Sequence, residues 1–384
     1  MKIIQITPSY KPAYIYGGPT MSVAKLCEAL VEENLNLEVL TTTANGPEEL
    51  AVIPNSQVTV DGVAVTYYER VTKDHTHFSP NLLLALRKKI KSHNSQLIIH
   101  IHSWWNLVTI FSCLVAKLHK IPVVLSPRGM LTTYTQSNRN SFFKSTLHFL
   151  IGKSLLRYVH ILASSEREKM DILEIITPKS IHILPNLVSL PFLAKPSKNQ
   201  PTNQSFKLLF LSRIEEKKGL DILFEALADL TIDWTLGIGG KGEELYVESL
   251  KMKAESLKID NKISWLGHIS NEDKFQRMAN YDLLVLTSYN ENFANVVIES
   301  LSVGTPVLLS DYVGLSSYVS EHQLGFVTDM NVKQISGTLV EAYVNLEKRN
   351  HIRVHAPDVI ARDFNEKALS KQYITLYQHI LTST

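Results

Sequence analysis

Short runs of apolar and β-branched residues alternate with amphipathic segments along the whole 384-residue chain. In the first half, residues 2–6 (KIIQI), 37–43 (LEVLTTT), 64–68 (AVTYY), 97–102 (LIIHIH), 122–126 (PVVLS) and 160–164 (HILAS) read as strands. Between them, residues 23–33 and 82–93 place apolar side chains at three- and four-residue intervals and read as helices. A stretch rich in Pro, Asn and Lys over residues 184–204 interrupts the pattern. It then restarts, with strands at 206–212, 234–239, 263–267, 283–287 and 306–310 and helices at 221–230 and 242–257. Residues 365–381 read as a long terminal helix able to pack on either half. Alternation on both sides of a break predicts an α/β protein of two doubly wound domains. The expected boundaries are 1–190 for the first domain, 191–204 for a linker, 205–364 for the second domain and 365–384 for the helix.

Composition adds little until charge is mapped. A hydrophobic content of 45% with 20% charged residues fits an ordinary globular protein, and the length exceeds a single core. Cys27 and Cys113 are too few for a disulfide framework and suit a reducing compartment. The opening MKIIQITPSYKP reads as a strand and loop, not a secretory leader, and no run approaches the ~18 apolar residues of a membrane span. A cytoplasmic protein is expected. From His75 to Ser165, however, there are 11 Lys and Arg and no Asp or Glu, whereas the remainder carries 28 basic and 37 acidic residues. Such a block points to an anionic partner: a phosphorylated substrate, a phospholipid surface or nucleic acid. Residues 138–160 set Arg139, Lys144, Lys153 and Arg157 among Phe and Leu residues. That composition suits a helix lying on the inner face of an anionic membrane, or equally a core-packed helix with a basic outer face. No nucleic-acid motif accompanies the charge, so no nucleic acid is expected.

Candidate chemistry gathers in the second domain. Glu291 and Glu299 stand eight positions apart, the first in a loop after the strand 283–287 and the second inside a helix expected over 294–303. The first amides of that helix attract phosphate, and a nearby carboxylate suits sugar hydroxyls. Arg213 and Lys218 follow the first strand of the domain, on the same carboxyl-end edge, where they can converge on a diphosphate. A solvated charged turn is the plainer alternative for SRIEEKKG. Gly237-x-Gly239-x-x-Gly242 matches a dinucleotide fingerprint and keeps an NAD-dependent oxidoreductase in view. The motif sits on the second strand of its domain, though, and reads better as Gly239 and Gly240 approaching a nucleoside diphosphate. In the first domain, Gly17-Gly18-Pro19 links the first strand to the first helix, while His102, Trp104 and Arg128 follow later strands. Aromatic and polar groups at strand ends suit sugar recognition, although tryptophans also serve as core.

Taken together, the GGP loop, SPRGML (126–131), ILPN (183–186), SRIEEKKGLDIL (212–223), GxGxxGEEL, WLGHIS (265–270) and NENFANVVIESLSVGTPV resemble the family 4 (group 1) retaining glycosyltransferases. The resemblance spans essentially the whole chain. It implies the GT-B fold: two Rossmann-like domains facing a central cleft, with the C-terminal helix crossing back to the first. It implies that Arg213 and Lys218 bind a donor diphosphate and that Glu299 binds ribose. Glu291, with Asn292 and the amides of Phe293, Ala294, Asn295 and Val296, would hold the transferred sugar, with Gly17, Gly18, Gly239, Gly240 and His268 also on the donor side. His102, Trp104 and Arg128 would face the acceptor. The family often has Gly at Ala294 and His at Arg128.

The expected reaction is transfer of a hexose or HexNAc from a UDP- or GDP-sugar to a glycan or lipid-diphosphate-linked acceptor, as in bacterial surface polysaccharide synthesis. No Asp-x-Asp occurs, so no metal is expected, and no cofactor beyond the nucleotide-sugar substrate. A GT-B-like sugar-nucleotide epimerase and a lectin-like binder are the competing classes; consumption of donor with and without acceptor separates the three.

Overall fold

The structure is a computed structural model and describes residues 1–93, 96–132, 152–191, 205–270 and 273–383. Most of the basic segment 138–160 (residues 138–151) and of the expected linker (residues 192–204) therefore lies outside the described residues. The chain divides into two compact units, Met1–Leu187 with Glu366–Thr384, and Val188–Asn365.

The first unit is built on β1 (Lys2–Ile6), β2 (Asn36–Thr42), a small antiparallel ribbon of β3 (Ala44–Asn45) and β4 (Glu48–Glu49), β5 (Gln57–Val60), β6 (Val63–Tyr68), β7 (Leu97–His102), β8 (Val123–Ser126), β9 (His160–Ala163) and β10 (Ser180–Ile183). Its main sheet runs β10-β9-β8-β7-β1-β2-β6-β5, parallel except for β5. The helices are α1 (Gly18–Glu32), α2 (Pro80–Ser92), α3 (Leu107–Leu118), α4 (Lys153–Leu156) and α5 (Glu166–Ile175). Ile4, Ile6, Ile99 and Ile101 point into one buried cluster with α2, α3 and α5. The side-chain period of two then sends Gln5, His100 and His102 to the opposite face. Within α4, Leu155 and Leu156 are buried while Lys153 and Arg157 stay exposed.

In the second unit, β11 (Phe206–Leu211), β12 (Trp234–Gly239), β13 (Ile263–Gly267), β14 (Leu283–Leu286), β15 (Val307–Ser310) and β16 (Gly325–Thr328) form an all-parallel sheet ordered β13-β12-β11-β14-β15-β16. Around it lie α6 (Leu220–Ala228), α7 (Glu244–Ser256), α8 (Lys274–Ala279), α9 (Asn295–Ser302), α10 (Ser316–Glu321), α11 (Val332–Val344) and α12 (Leu346–Asp363). Its inner strands β11, β12, β14 and β15 are nearly continuous apolar runs because both faces are covered, whereas the edge strand β13 is partly exposed. The last helix, α13 (Glu366–Thr382), belongs to the first unit: it buries Leu369, Tyr373, Tyr377 and Ile380, and Glu366 pairs with Lys25 of α1 at 2.7 Å. Both units are Rossmann-like α/β layers.

Candidate active site

The strand order of the second unit reverses between β11 and β14, the switch point at which the carboxyl ends of an open α/β sheet leave a crevice. Two loops leave the sheet there, and the backbone fastens them together. Thr287 donates its hydroxyl to Gly219 O at 3.0 Å, and the Tyr289 amide donates to Lys217 O at 2.8 Å. Gly219 makes this possible: its φ is +65°, and a Cβ there would overlap the Thr287 carbonyl. On the other side, Gly314 N donates to Glu291 O at 2.8 Å, so the Glu291 loop is held between its neighbours.

This stitching brings Lys218 and Glu291, 73 residues apart in sequence, into direct ion pairing. Lys218 is only 5% exposed. Burial alone would raise the Glu291 carboxyl; Lys218, then Lys217 and Arg213, outweigh it and hold the group below its ordinary value. Burial, and then Lys218, depresses Lys217. Arg213 is half-exposed and pairs with Glu215 at 2.7 Å, so it joins the cluster through its field. Glu299 lies in α9 and accepts from Lys274 Nζ of α8 at 2.6 Å. Between the two glutamates, Phe293 and Ala294 are buried, and Ala294 caps α9 in the left-handed region with φ +64°. Asn292 precedes the cap, Asn295 and Val296 open the first turn, and the Val297 amide donates back to Ala294 O at 2.9 Å.

The glycine motif requires a correction. A Cβ on Gly240 would overlap Ser212 O, one on Gly239 would collide with Leu211 and Ile269, and one on Gly242 would overlap Ile214 O. The close approach that demands glycine is therefore to the protein's own chain. Next to this loop, Gly240 N donates to Gly267 O at 2.8 Å, and His268 follows, exposed.

In the first unit, the strand order reverses between β1 and β7. Gly17, with φ +65° and ψ −136°, turns the chain from β1 into α1, and a Cβ on Gly17 or Gly18 would meet nothing within 4 Å. After β8, Arg128 has φ +54°; its Nε donates to His102 Nδ1 at 3.3 Å and its Nη1 to Asn186 Oδ1 at 2.9 Å. His102 is itself 1% exposed and accepts from Arg128 deep in the fold, so it lies beneath the surface that a ligand meets. Trp104 is a second correction: it is 0% exposed and part of the apolar cluster, so its ring has no face for a sugar.

Four contributors escape a reading by motif. Glu168 Oε1 accepts from the Gly129 amide at 2.8 Å while its Oε2 accepts from Ser164 N at 2.7 Å, pinning the Arg128 loop. Its signal was the capping pattern Ser165-x-x-Glu168, and Ser165 does cap α5. Gln5 and Tyr377 join the His100 and His102 layer, announced by one polar residue in KIIQI and two in LIIHIH. Lys274, the partner of Glu299, left no signal. Among the described residues, no group of three or more His, Cys, Asp or Glu is arranged to hold a metal ion.

Comparison with known proteins agrees with this architecture. The family profile described as "Glycosyl transferases group 1" matches residues 193–358, and "Glycosyltransferase Family 4" matches 16–191. A D-inositol 3-phosphate glycosyltransferase of Jonesia denitrificans is 23% identical, over 88% of this chain and 86% of the relative. A GDP-mannose:cellobiosyl-diphosphopolyprenol alpha-mannosyltransferase of Xanthomonas campestris is 22% identical, over 89% and 87%. Among solved structures, a sucrose-phosphate synthase of Thermosynechococcus elongatus superposes with a TM-score of 0.77 at 16% identity, covering 100% of both chains. HepE of Anabaena, solved with UDP and glucose, gives 0.73 at 17%, covering 99% of this chain and 100% of that one. With one family profile on each half of a GT-B fold, the chain belongs to the family 4 (group 1) glycosyltransferases.

Proposed function

We propose that the protein is a retaining glycosyltransferase that moves a hexose or HexNAc from a nucleoside-diphosphate sugar to a glycan or lipid-diphosphate-linked acceptor in bacterial surface polysaccharide synthesis. The observation that carries the reading is the Lys218–Glu291 pair at the switch point of the second unit, ringed by Lys217 and Arg213. The cations neutralise the diphosphate as the bond from its oxygen to the anomeric carbon breaks. Glu291, Asn292 and the amides of residues 293–296 orient the sugar, and Glu299 exchanges Lys274 for ribose hydroxyls. His268 borders the same edge, and the open turn at Gly17 and Gly18 suits a phosphate or sugar of the donor. The acceptor oxygen attacks the face that the leaving group vacates, and its proton passes to a departing phosphate oxygen. Glu291 needs no covalent bond to the sugar, and the cations take the role a metal would play.

Arg128 stands on the acceptor side. It stays protonated, so it orients or neutralises an acceptor anion and does not act as a base. The relative that acts on a diphosphopolyprenol acceptor supports a lipid-linked substrate. The basic segment 138–160 supports peripheral attachment to the inner face of the membrane, and no described helix is long and apolar enough to cross one. Binding to anionic vesicles that is lost in high salt is expected; equal binding to neutral vesicles removes the attachment.

A thermal-shift panel of UDP-, GDP- and ADP-sugars identifies the donor, because a native-state ligand raises the melting point. With that donor, Lys218→Ala is expected to lose about 3 kcal/mol of transition-state stabilisation. Undiminished turnover would remove Lys218 from the diphosphate site, and an inverted product anomer by NMR would remove the retaining mechanism.

A further inference from the structure

The polar layer of the first unit is not a loose cluster; its donors and acceptors can be ordered from one end. A guanidinium only donates, so Arg128 Nε makes His102 Nδ1 an acceptor. The neutral imidazole then carries its proton on Nε2 and donates it to Gln5 Oε1 at 2.7 Å. With its oxygen committed, Gln5 turns its Nε2 to Tyr377 Oη at 3.5 Å. The Tyr377 hydroxyl directs its proton to His100 Nδ1 at 2.7 Å, and His100 donates from Nε2 to Ser126 Oγ at 2.9 Å. Gln5, His100 and Tyr377 are 0% exposed, so each link is made within protein. Protonating His102 would set two N–H groups against each other at Arg128, and burial holds both imidazoles well below their usual value.

Two adjacent links of this chain, Gln5 and Tyr377, come from opposite ends of the sequence. Tyr377 lies in α13, and the same helix, through Tyr373 Oη, donates to Pro185 O at 3.2 Å, next to the Asn186 that holds Arg128 Nη1. Glu168 fixes the backbone at Gly129, but the direction of the guanidinium is set by His102 and Asn186. Both settings lead back to α13.

We propose that Tyr377 is a positioning residue for Arg128, acting through the one-way chain Arg128–His102–Gln5–Tyr377–His100–Ser126. Its value for catalysis rests on the acceptor-side reading of Arg128; its test does not. Without the hydroxyl, Gln5 Nε2 and His100 Nδ1 lose their shared partner. Gln5 is then free to turn over and His102 to change tautomer, leaving Arg128 Nε without its acceptor.

The experiment uses the full chain labelled with 15N at histidine and arginine. In the wild type, His100 and His102 are expected as neutral imidazoles protonated on Nε2; a proton on Nδ1 of either overturns the proposal without any variant. In Tyr377→Phe, solvent exchange of the Arg128 Nε–H is expected to accelerate about ten-fold, the equivalent of one hydrogen bond, with mixed histidine tautomers and an unchanged circular dichroism spectrum. Gln5→Met, one link nearer Arg128, should give the same acceleration. Exchange unchanged in either folded variant overturns the proposal. Should Arg128→Lys leave sugar transfer intact, the acceptor-side reading falls while these spectra, and the positioning they report, still hold.

Discussion

Ala294 carries a backbone that an L-residue adopts at a cost of about 1 kcal/mol or more, because its Cβ crowds the following carbonyl. Its φ of +64° turns the chain from the Glu291 loop into α9, so the geometry requires what glycine supplies freely. Ala294→Gly is expected to gain roughly 1 kcal/mol of stability, read as a higher denaturation midpoint in urea; a lower midpoint would show that the Cβ contacts outweigh the strain. That Glu291 lies in the loop before a helix and Glu299 within that helix was legible from the sequence. That Glu291 and Glu299 each already hold a lysine was not, because Lys218 and Lys274 arrive from elements distant in sequence. Trp104 shows the converse: its position after a strand resembled that of a ligand-stacking ring, and only the packing of the apolar cluster showed both faces covered.

The strands 97–102, 234–239 and 263–267 coincide with the runs read from the sequence: the first is buried throughout and the second at all but Thr235, while 263–267 is a partly exposed edge strand ended by Gly267. β5 (QVTV) and β16 (GFVT) lacked such a run: β5 is an exposed edge strand, and β16 spans four residues behind a turn. The glycine loop after β12 is the element on which pattern and structure part. A phosphate-binding loop and a loop packed against its own neighbour both need glycine, and only the fold sets Ser212 O beneath Gly240. Gly240 also has φ +142°. Gly240→Ala is therefore expected to destabilise the second unit by roughly 3 kcal/mol through overlap and strain, measured by urea unfolding. A loss under about 1 kcal/mol would mean the loop moves aside with ease.

Across the whole molecule, the buried imidazoles tie stability to pH. His77 and His160 are lowered to about 4, chiefly by burial, and His100 and His102 are lowered well below the ordinary value for the same reason. The unfolded chain takes up these protons first, near pH 6.5. Stability is thus complete above that pH and falls below it until each native group titrates. Each histidine should cost about 1.4 kcal/mol per pH unit once it is fully charged in the unfolded chain. Urea midpoints that stay level from pH 7 to pH 5 would contradict this burial. By itself, the sequence determined the two doubly wound halves, the strand ends that carry the cations and glutamates, and the family, since these depend on periodicity and short motifs. Only the tertiary structure decided which charges neutralise each other, which glycines serve packing, and that the C-terminal helix reaches His100 through Tyr377. Those outcomes depend on contacts between residues tens to hundreds of positions apart, and a local pattern carries no record of what will be folded against it.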